Sequence, residues 1–141
     1  NIRALLHFVG DMHCPSHCKL IGGRDDAKPR VYLKGEYMGS FHGFYDKMPE
    51  LTYGFEESPA ELAKRLDTYS KGKIKKVCKG NHYDWAQESM HITNVIHQWN
   101  PNDGTAELRE DTIELSKSVI DTQLRHAGYR LAHLLNRYFG E

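Results

Sequence analysis

Residues 7–17 read His7-Phe8-Val9-Gly10-Asp11-Met12-His13-Cys14-Pro15-Ser16-His17. The run from Ile2 to about Cys18 has the spacing of a helix, with Leu5, Leu6, Val9 and Met12 on one face, and Gly10 and Pro15 are expected to weaken and bend it. Residues i and i+4 share a helical face, so His7 and Asp11 can hold one cation together. His17 lies beyond the proline and can reach a second position nearby. His42 and Asp46 repeat the His-x-x-x-Asp spacing farther along. Imidazole nitrogen and carboxylate oxygen are what zinc accepts when one position stays open to water. Two such pairs with His17 predict a site for more than one metal ion.

Composition supports this direction. Nine histidines in 141 residues is a high count, and neutral imidazole is the commonest side-chain metal ligand. His13 is expected to pack or to support a ligand from behind. His82, His91, His97, His126 and His133 are assigned to surface or packing. Lys+Arg 19 balance Asp+Glu 19, so no global charge advertises a polyanion-binding surface. Arg24, Lys28, Arg30 and Lys34 can form a local positive rim, although a solvated face is the plainer reading. Tyr32, Tyr37, Phe41, Phe44 and Tyr45 are candidates for base stacking, most of them for packing.

Cys14, Cys18 and Cys78 form neither a CxxC pair nor a dense disulfide framework. Cys14 and Cys18 stand at i,i+4, where they could bind metal, although a disulfide or two half-buried thiols are the plainer expectation. No stretch approaches the ~20 apolar residues of a membrane span, and no signal peptide opens the chain. The length suits one domain. A chain that starts at Asn1 inside a packed element reads as the C-terminal portion of something longer.

Turn residues fill Gly22 to Pro29, and Arg30 to His42 alternates as a hairpin turning at Lys34-Gly35-Glu36. Ser58-Pro59-Ala60-Glu61 is a capping box with proline at the first helical position, opening a helix to about Ser70. A short basic helix to Lys79 follows, then one from Asp84 to Trp99. After the loop Asn100–Gly104, Thr105 is expected to cap a final long helix closed by Gly140. Its predicted buried face is Leu108, Ile113, Leu115, Val119, Ile120, Leu124, Leu131, Leu134 and Leu135. The fold class is mainly α with minor β content.

The segment HFVGDMHCPSH resembles the HFxGDxHQPLH signature of the zinc-dependent single-strand nucleases, a family of fungal nucleases, plant type I bifunctional nucleases and bacterial and protozoan 3′-nucleotidase/nucleases. The likeness continues through Gly22-Gly23, the hairpin, His42-x-x-x-Asp46-Lys47-Met48-Pro49-Glu50, Trp85-Ala86-x-Glu88-Ser89 and Gln123 to Asn136. It implies a phospholipase C/single-strand nuclease-like helical fold with a short hairpin. It also implies three zinc ions that activate a water against a phosphodiester or a 3′-nucleotide phosphate. By motif position, His7 would bind one zinc and Asp11, the expected catalytic carboxylate, would bridge it to a neighbour. His17, His42 and Asp46 would hold the remaining zinc.

The resemblance further implies ligands upstream of His7, among them an N-terminal tryptophan, which this sequence does not contain. A preceding segment of the same protein is therefore expected as a partner in activity, and this chain alone is expected to complete at most one zinc site, that of His17, His42 and Asp46. Beside the ligands the chain departs from the pattern at Cys14 for Gln, Ser16 for Leu, Gly23-Arg24 for Gly-Asn, Ser40-Phe41 for Asn-Leu and Tyr45 for Trp. These departures bear on substrate preference. The implied location is secreted or periplasmic, where Cys78 would pair with an upstream cysteine. Alternatives are a helical zinc phospholipase C-like enzyme and a non-catalytic module with a degenerate metal site.

Overall fold

The computed structural model describes residues 2–18, 30–53, 57–97 and 105–140. The expected turn over Gly22–Pro29, the loop Asn100–Gly104 and the predicted roles of Arg24 and Lys28 lie outside those residues. In chain order the elements are α1 (Ile2–His13), a 3-10 turn (Pro15–His17), β1 (Arg30–Leu33), β2 (Glu36–Ser40), α2 (Phe41–Tyr53), α3 (Pro59–Leu66), α4 (Lys71–Val77), α5 (His82–His97), β3 (Thr105–Leu108) and α6 (Glu110–Phe139). The architecture is mainly α, as expected, with one small sheet of strand order β2-β1-β3.

α1 runs through Gly10 and ends at His13, before the predicted Cys18. Proline forces its predecessor out of the helical region, and Cys14 is extended at φ −81, ψ 119. The predicted apolar stripe is only partly used. Val9 is buried, Leu5 and Met12 are half-buried, and Leu6 is 47 % exposed. The helix is rolled so that Val9 and His13 face inward toward α5 and α6.

β1 and β2 form the predicted hairpin, with Leu33 opposite Glu36 and Arg30 opposite Ser40. Lys34 at φ 52 and Gly35 at φ 77 supply the paired positive φ values of a tight two-residue turn. The hairpin stops at Ser40, earlier than the sequence suggested, because Ser40 starts α2: its hydroxyl accepts from the Gly43 amide at 3.1 Å. Pro49 lies inside α2, where it lacks the N–H that would reach back to the Tyr45 carbonyl. The capping box of α3 is formed as read, with Ser58 N–H donating to Glu61 at 2.9 Å and Glu61 N–H to Ser58 Oγ at 3.3 Å. α3 ends at Leu66, and Ser70 caps α4 by accepting from Lys73 N–H at 3.3 Å.

Thr105 does not cap the last helix. Thr105–Leu108 is a strand, parallel to β1 and paired Arg30 to Thr105 through Leu33 to Leu108. The N-cap of α6 is the extended Arg109, followed by Glu110 and Asp111 at the positive end of the helix. The predicted apolar face is also corrected. Of those residues only Ile120 is buried, whereas Leu115 is 43 % exposed. The inward stripe is Ser116, Ile120, Gln123 and Arg130, a helical repeat composed largely of polar side chains.

The apolar core lies where the hairpin, α2 and α6 meet: Val31, Phe41, Phe44, Tyr45, Met48 and Ile120, with Cys14, Met38, Ile92, Leu108, Val119 and Leu124 packed around it. No helix among the described residues is long and apolar enough to cross a membrane.

Candidate functional site

The two His-x-x-x-Asp pairs sit on different helices. On α1, His7 Nε2 is 3.2 Å from Asp11 Oδ2. On α2, His42 Nε2 is 3.5 Å from Asp46 Oδ2. Helical i,i+4 geometry sets each pair locally. The 3-10 turn joins them: His17 N–H donates to the Cys14 carbonyl at 3.1 Å, turning the chain back after Pro15. The His17 ring then stands between the carboxylates, with Nδ1 3.2 Å from Asp11 Oδ1 and Nε2 3.1 Å from Asp46 Oδ1. The His17 and His42 rings stack with centroids 4.9 Å apart. All five residues singled out in the sequence therefore form one continuous cluster.

The donor inventory of this cluster suits a cation. A neutral imidazole donates from one nitrogen only, yet both nitrogens of His17 face carboxylate oxygens. Positive charge between His17 and one of the carboxylates, as a proton or a metal ion, resolves that conflict. The side chains are open to solvent, from 29 % for His17 to 70 % for His7, as a site that must admit water and substrate requires.

Cys14, for which the sequence favoured a disulfide or a half-buried thiol over metal binding, stands beside the cluster. Its Sγ lies 3.2 Å from Ser16 Oγ and 3.9 Å from Asp46 Oδ1. Burial pushes its thiol pKa up. Cys14, Cys18 and Cys78 are all free thiols, so the Cys14–Cys18 disulfide is not formed.

Behind the cluster a polar network holds α1. His13 is buried; its Nδ1 faces the Val9 carbonyl at 2.7 Å and its Nε2 accepts from the Arg130 guanidinium at 2.8 Å. Burial, reinforced by the Arg130 charge, lowers its pKa to about 4, which keeps it neutral. Arg130 is 3 % exposed and also donates to Glu88 and, through Nε, to the Val77 carbonyl at 3.1 Å. Glu88 in turn lies 2.8 Å from His126 Nδ1. The His126 bond, and then Arg130, draw the Glu88 pKa down to about 2 against the opposing effect of burial. The expected supporting role of His13 is thus given a geometry. His126, assigned to surface or packing, belongs to the same network, and no local sequence signal marks Arg130 and Glu88 as its centre.

Gln123 Nε2 donates to the His13 carbonyl at 3.1 Å and to Ser89 Oγ at 2.9 Å. Thr93 Oγ1 donates to the Pro15 carbonyl. Of the aromatic candidates for stacking, Phe41, Phe44 and Tyr45 are core residues, and Tyr45 O–H pairs with Ser116 Oγ at 2.9 Å. Tyr37 is 56 % exposed on the hairpin, its ring 5.4 Å from that of Tyr32. Arg30 and Lys34 are exposed on the same hairpin.

Comparison with curated proteins and with solved structures finds no match. The family model described as S1/P1 Nuclease matches residues 1–140. With that match spanning nearly every residue, the chain belongs to the S1/P1 nuclease family.

Proposed function

We propose that this chain acts in zinc-dependent hydrolysis of phosphodiester bonds in single-stranded DNA or RNA, or of 3′-nucleotides, with His7, Asp11, His17, His42 and Asp46 as its metal ligands and Asp11 as the catalytic carboxylate. Family membership carries the coarse part, nuclease-type phosphodiester hydrolysis. The observation that supports the finer part is the convergence of residues 7, 11, 17, 42 and 46 into one cluster with successive contacts of 3.1 to 3.5 Å. Zinc, when bound, supplies Lewis acidity toward phosphate oxygen and water at neutral pH.

The residues divide the remaining work. Asp11 faces both His7 and His17, so its two oxygens can serve two positions at once. Asp46 faces His17 and His42 in the same manner. The two carboxylates bring the negative charge that draws cations to a chain of zero formal net charge. His17 sets the spacing between them. The buried His13–Arg130 bond holds α1 from behind, so Asp11 keeps its position when charge changes in front of it. Under this reading residues 1–141 form the C-terminal portion of a single nuclease-like domain that acts together with a preceding segment of the same protein, in a secreted or periplasmic setting.

The test is zinc content by elemental analysis after purification without chelator, with Asp46→Ala as control, alongside hydrolysis of single-stranded DNA, RNA, 3′-nucleotides and phosphatidylcholine. Bound zinc lost in the control, with nucleic acid or nucleotide hydrolysis, assayed with the preceding segment present, abolished by chelator, is the expected result. Zinc content unchanged by Asp46→Ala, or chelator-insensitive hydrolysis, refutes it, and activity on phosphatidylcholine alone moves the chain to a phospholipase C-like reading.

A further inference from the structure

The three cysteines differ in what their sulfurs face. Cys18 donates to the Met12 carbonyl at 3.3 Å and Cys78 to the Tyr129 carbonyl at 3.5 Å, contacts that keep the proton on sulfur. Cys14 faces a hydroxyl and a carboxylate instead. Its Sγ, a nitrogen of His17 and an oxygen of Asp46 all lie within 4.8 Å of one another. It is held there by backbone bonds from Cys14 N–H to the Gly10 and Asp11 carbonyls, both at 3.1 Å, and by the ring of Pro15 that follows.

Two of these separations lie close to those around a shared ion, and the third is within 4.8 Å. Tetrahedral zinc, with bonds of ~2.0 Å to nitrogen or oxygen and ~2.3 Å to sulfur, spaces two N/O ligands by about 3.3 Å and a sulfur from an oxygen by about 3.5 Å. The corresponding distances are 3.1 Å for His17 Nε2 to Asp46 Oδ1 and 3.9 Å for Cys14 Sγ to the same oxygen. A shift of a few tenths of an ångström brings both to the coordinated values. Ser16 completes the arrangement. It is 4 % exposed, and its hydroxyl lies 3.2 Å from the sulfur, where it can donate to a thiolate.

We propose that Cys14 is a thiolate ligand to the ion held by His17 and Asp46, with the Ser16 hydroxyl donating to that sulfur. The inference rests on the metal reading above and adds a ligand to it. On binding, the S–H bond breaks, a sulfur–metal bond forms and the proton leaves to solvent, with no change of oxidation state. Sulfur in the set favours zinc and cobalt(II) over magnesium, calcium or manganese at this position.

The test is anaerobic titration of the metal-free full chain with cobalt(II), comparing wild type with Cys14→Ser, Cys18→Ser and Cys78→Ser. Sulfur-to-cobalt charge transfer absorbs strongly in the near ultraviolet, while the weaker visible ligand-field bands report bound cobalt whatever the ligands are. The expected result is a charge-transfer band in wild type, Cys18→Ser and Cys78→Ser that is lost in Cys14→Ser, with ligand-field bands retained there and affinity weakened by at least about ten-fold. Ligand-field bands without charge transfer in wild type, or charge transfer surviving in Cys14→Ser, overturns the proposal and leaves the metal site standing. No ligand-field bands in wild type overturns both. A second measurement needs no variant: alkylation followed by peptide mass spectrometry, with and without zinc. Zinc slows Cys14 modification by about ten-fold or more if its sulfur is a ligand, and an unchanged rate at Cys14 refutes the assignment.

Discussion

Replacing Arg130 by methionine keeps an unbranched apolar stem and removes the guanidinium, and the structure sets the consequence. Three groups lose a partner: the buried His13 Nε2, Glu88 and the Val77 carbonyl. An acceptor left unsatisfied in the interior costs about 1–3 kcal/mol. Breaking a buried charged pair by deleting one partner costs about 3–5 kcal/mol when the other charge is fully buried. Glu88 retains His126 and has 35 % of its side chain exposed, so water recovers part of that loss. The contact of the guanidinium with the Trp85 ring, 5.1 Å from its centroid, adds about 0.5–1 kcal/mol. Because these losses share one side chain and are not additive, the expected destabilisation is about 3–5 kcal/mol, a large share of the roughly 5–15 kcal/mol that holds a domain folded.

Urea unfolding of wild type, Arg130→Met, Glu88→Gln and the double variant measures it. At a slope of about 2 kcal/mol per molar, the midpoint of Arg130→Met falls by about 2 M. The double-mutant cycle is expected to give a coupling of about 1.5–3 kcal/mol between the two residues, the range of hydrogen bonds to charged groups. A loss below about 1 kcal/mol in Arg130→Met, the value of an exposed ion pair, refutes the account. So does additivity of the two substitutions. Glu88→Gln keeps the hydrogen-bonding shape, so the cycle stays informative if Arg130→Met folds poorly on its own.

The same network predicts a pH dependence. The folded Glu88 pKa is depressed to about 2, so its contribution is complete above the ordinary carboxylate value of 4.5 and is lost as pH falls toward 2. Discounted for its exposure, the loss is roughly 1–2 kcal/mol, and urea midpoints of wild type and Glu88→Gln should converge by that amount across this window; parallel curves contradict it. Phe44→Ala, at a core side chain 2 % exposed, should lower stability by about 3–5 kcal/mol in the same assay, and a change under 1 kcal/mol would place Phe44 outside the core. Ser58→Ala removes the hydroxyl that accepts from Glu61 N–H while keeping the backbone N–H that donates to Glu61, and should lower stability by about 0.5–2 kcal/mol, with Ser58→Asp restoring most of it.

What the sequence revealed was what is local. Each His-x-x-x-Asp pair needs only one helical turn, and the capping box at Ser58 spans four residues, so both were legible and both are formed. Strand β3 was not, because Thr105–Leu108 becomes a strand by pairing with residues 30–33, some seventy positions earlier, and Leu108 fits a helical stripe equally well. The start of α2 was legible in principle: Ser40 three residues before Gly43 is a capping signal. Alternation in the preceding hairpin, together with Gly43 and Pro49, hid the helix that follows.

The larger misreading, in α6, explains how the cluster is held. Apolar periodicity assigned its inner face to leucines, whereas Ser116, Gln123 and Arg130 point inward at seven-residue intervals. Each is bonded to an element that carries or supports the site: Ser116 to Tyr45 beside Asp46 on α2, Gln123 to the His13 carbonyl and Ser89, and Arg130 to His13 and Glu88. Apolar contacts are non-directional and tolerate small rotations of a helix. Hydrogen bonds do not, since they weaken steeply with misalignment. A cluster that needs Asp11 and Asp46 on either side of one imidazole is sensitive to the roll of α1 and α2, and a polar stripe on α6 fixes both against a common reference. If the cluster holds zinc as proposed, polar residues on the inner face of α6 are therefore where substitutions remote from it should alter metal affinity, more than the half-buried leucines that periodicity had placed there.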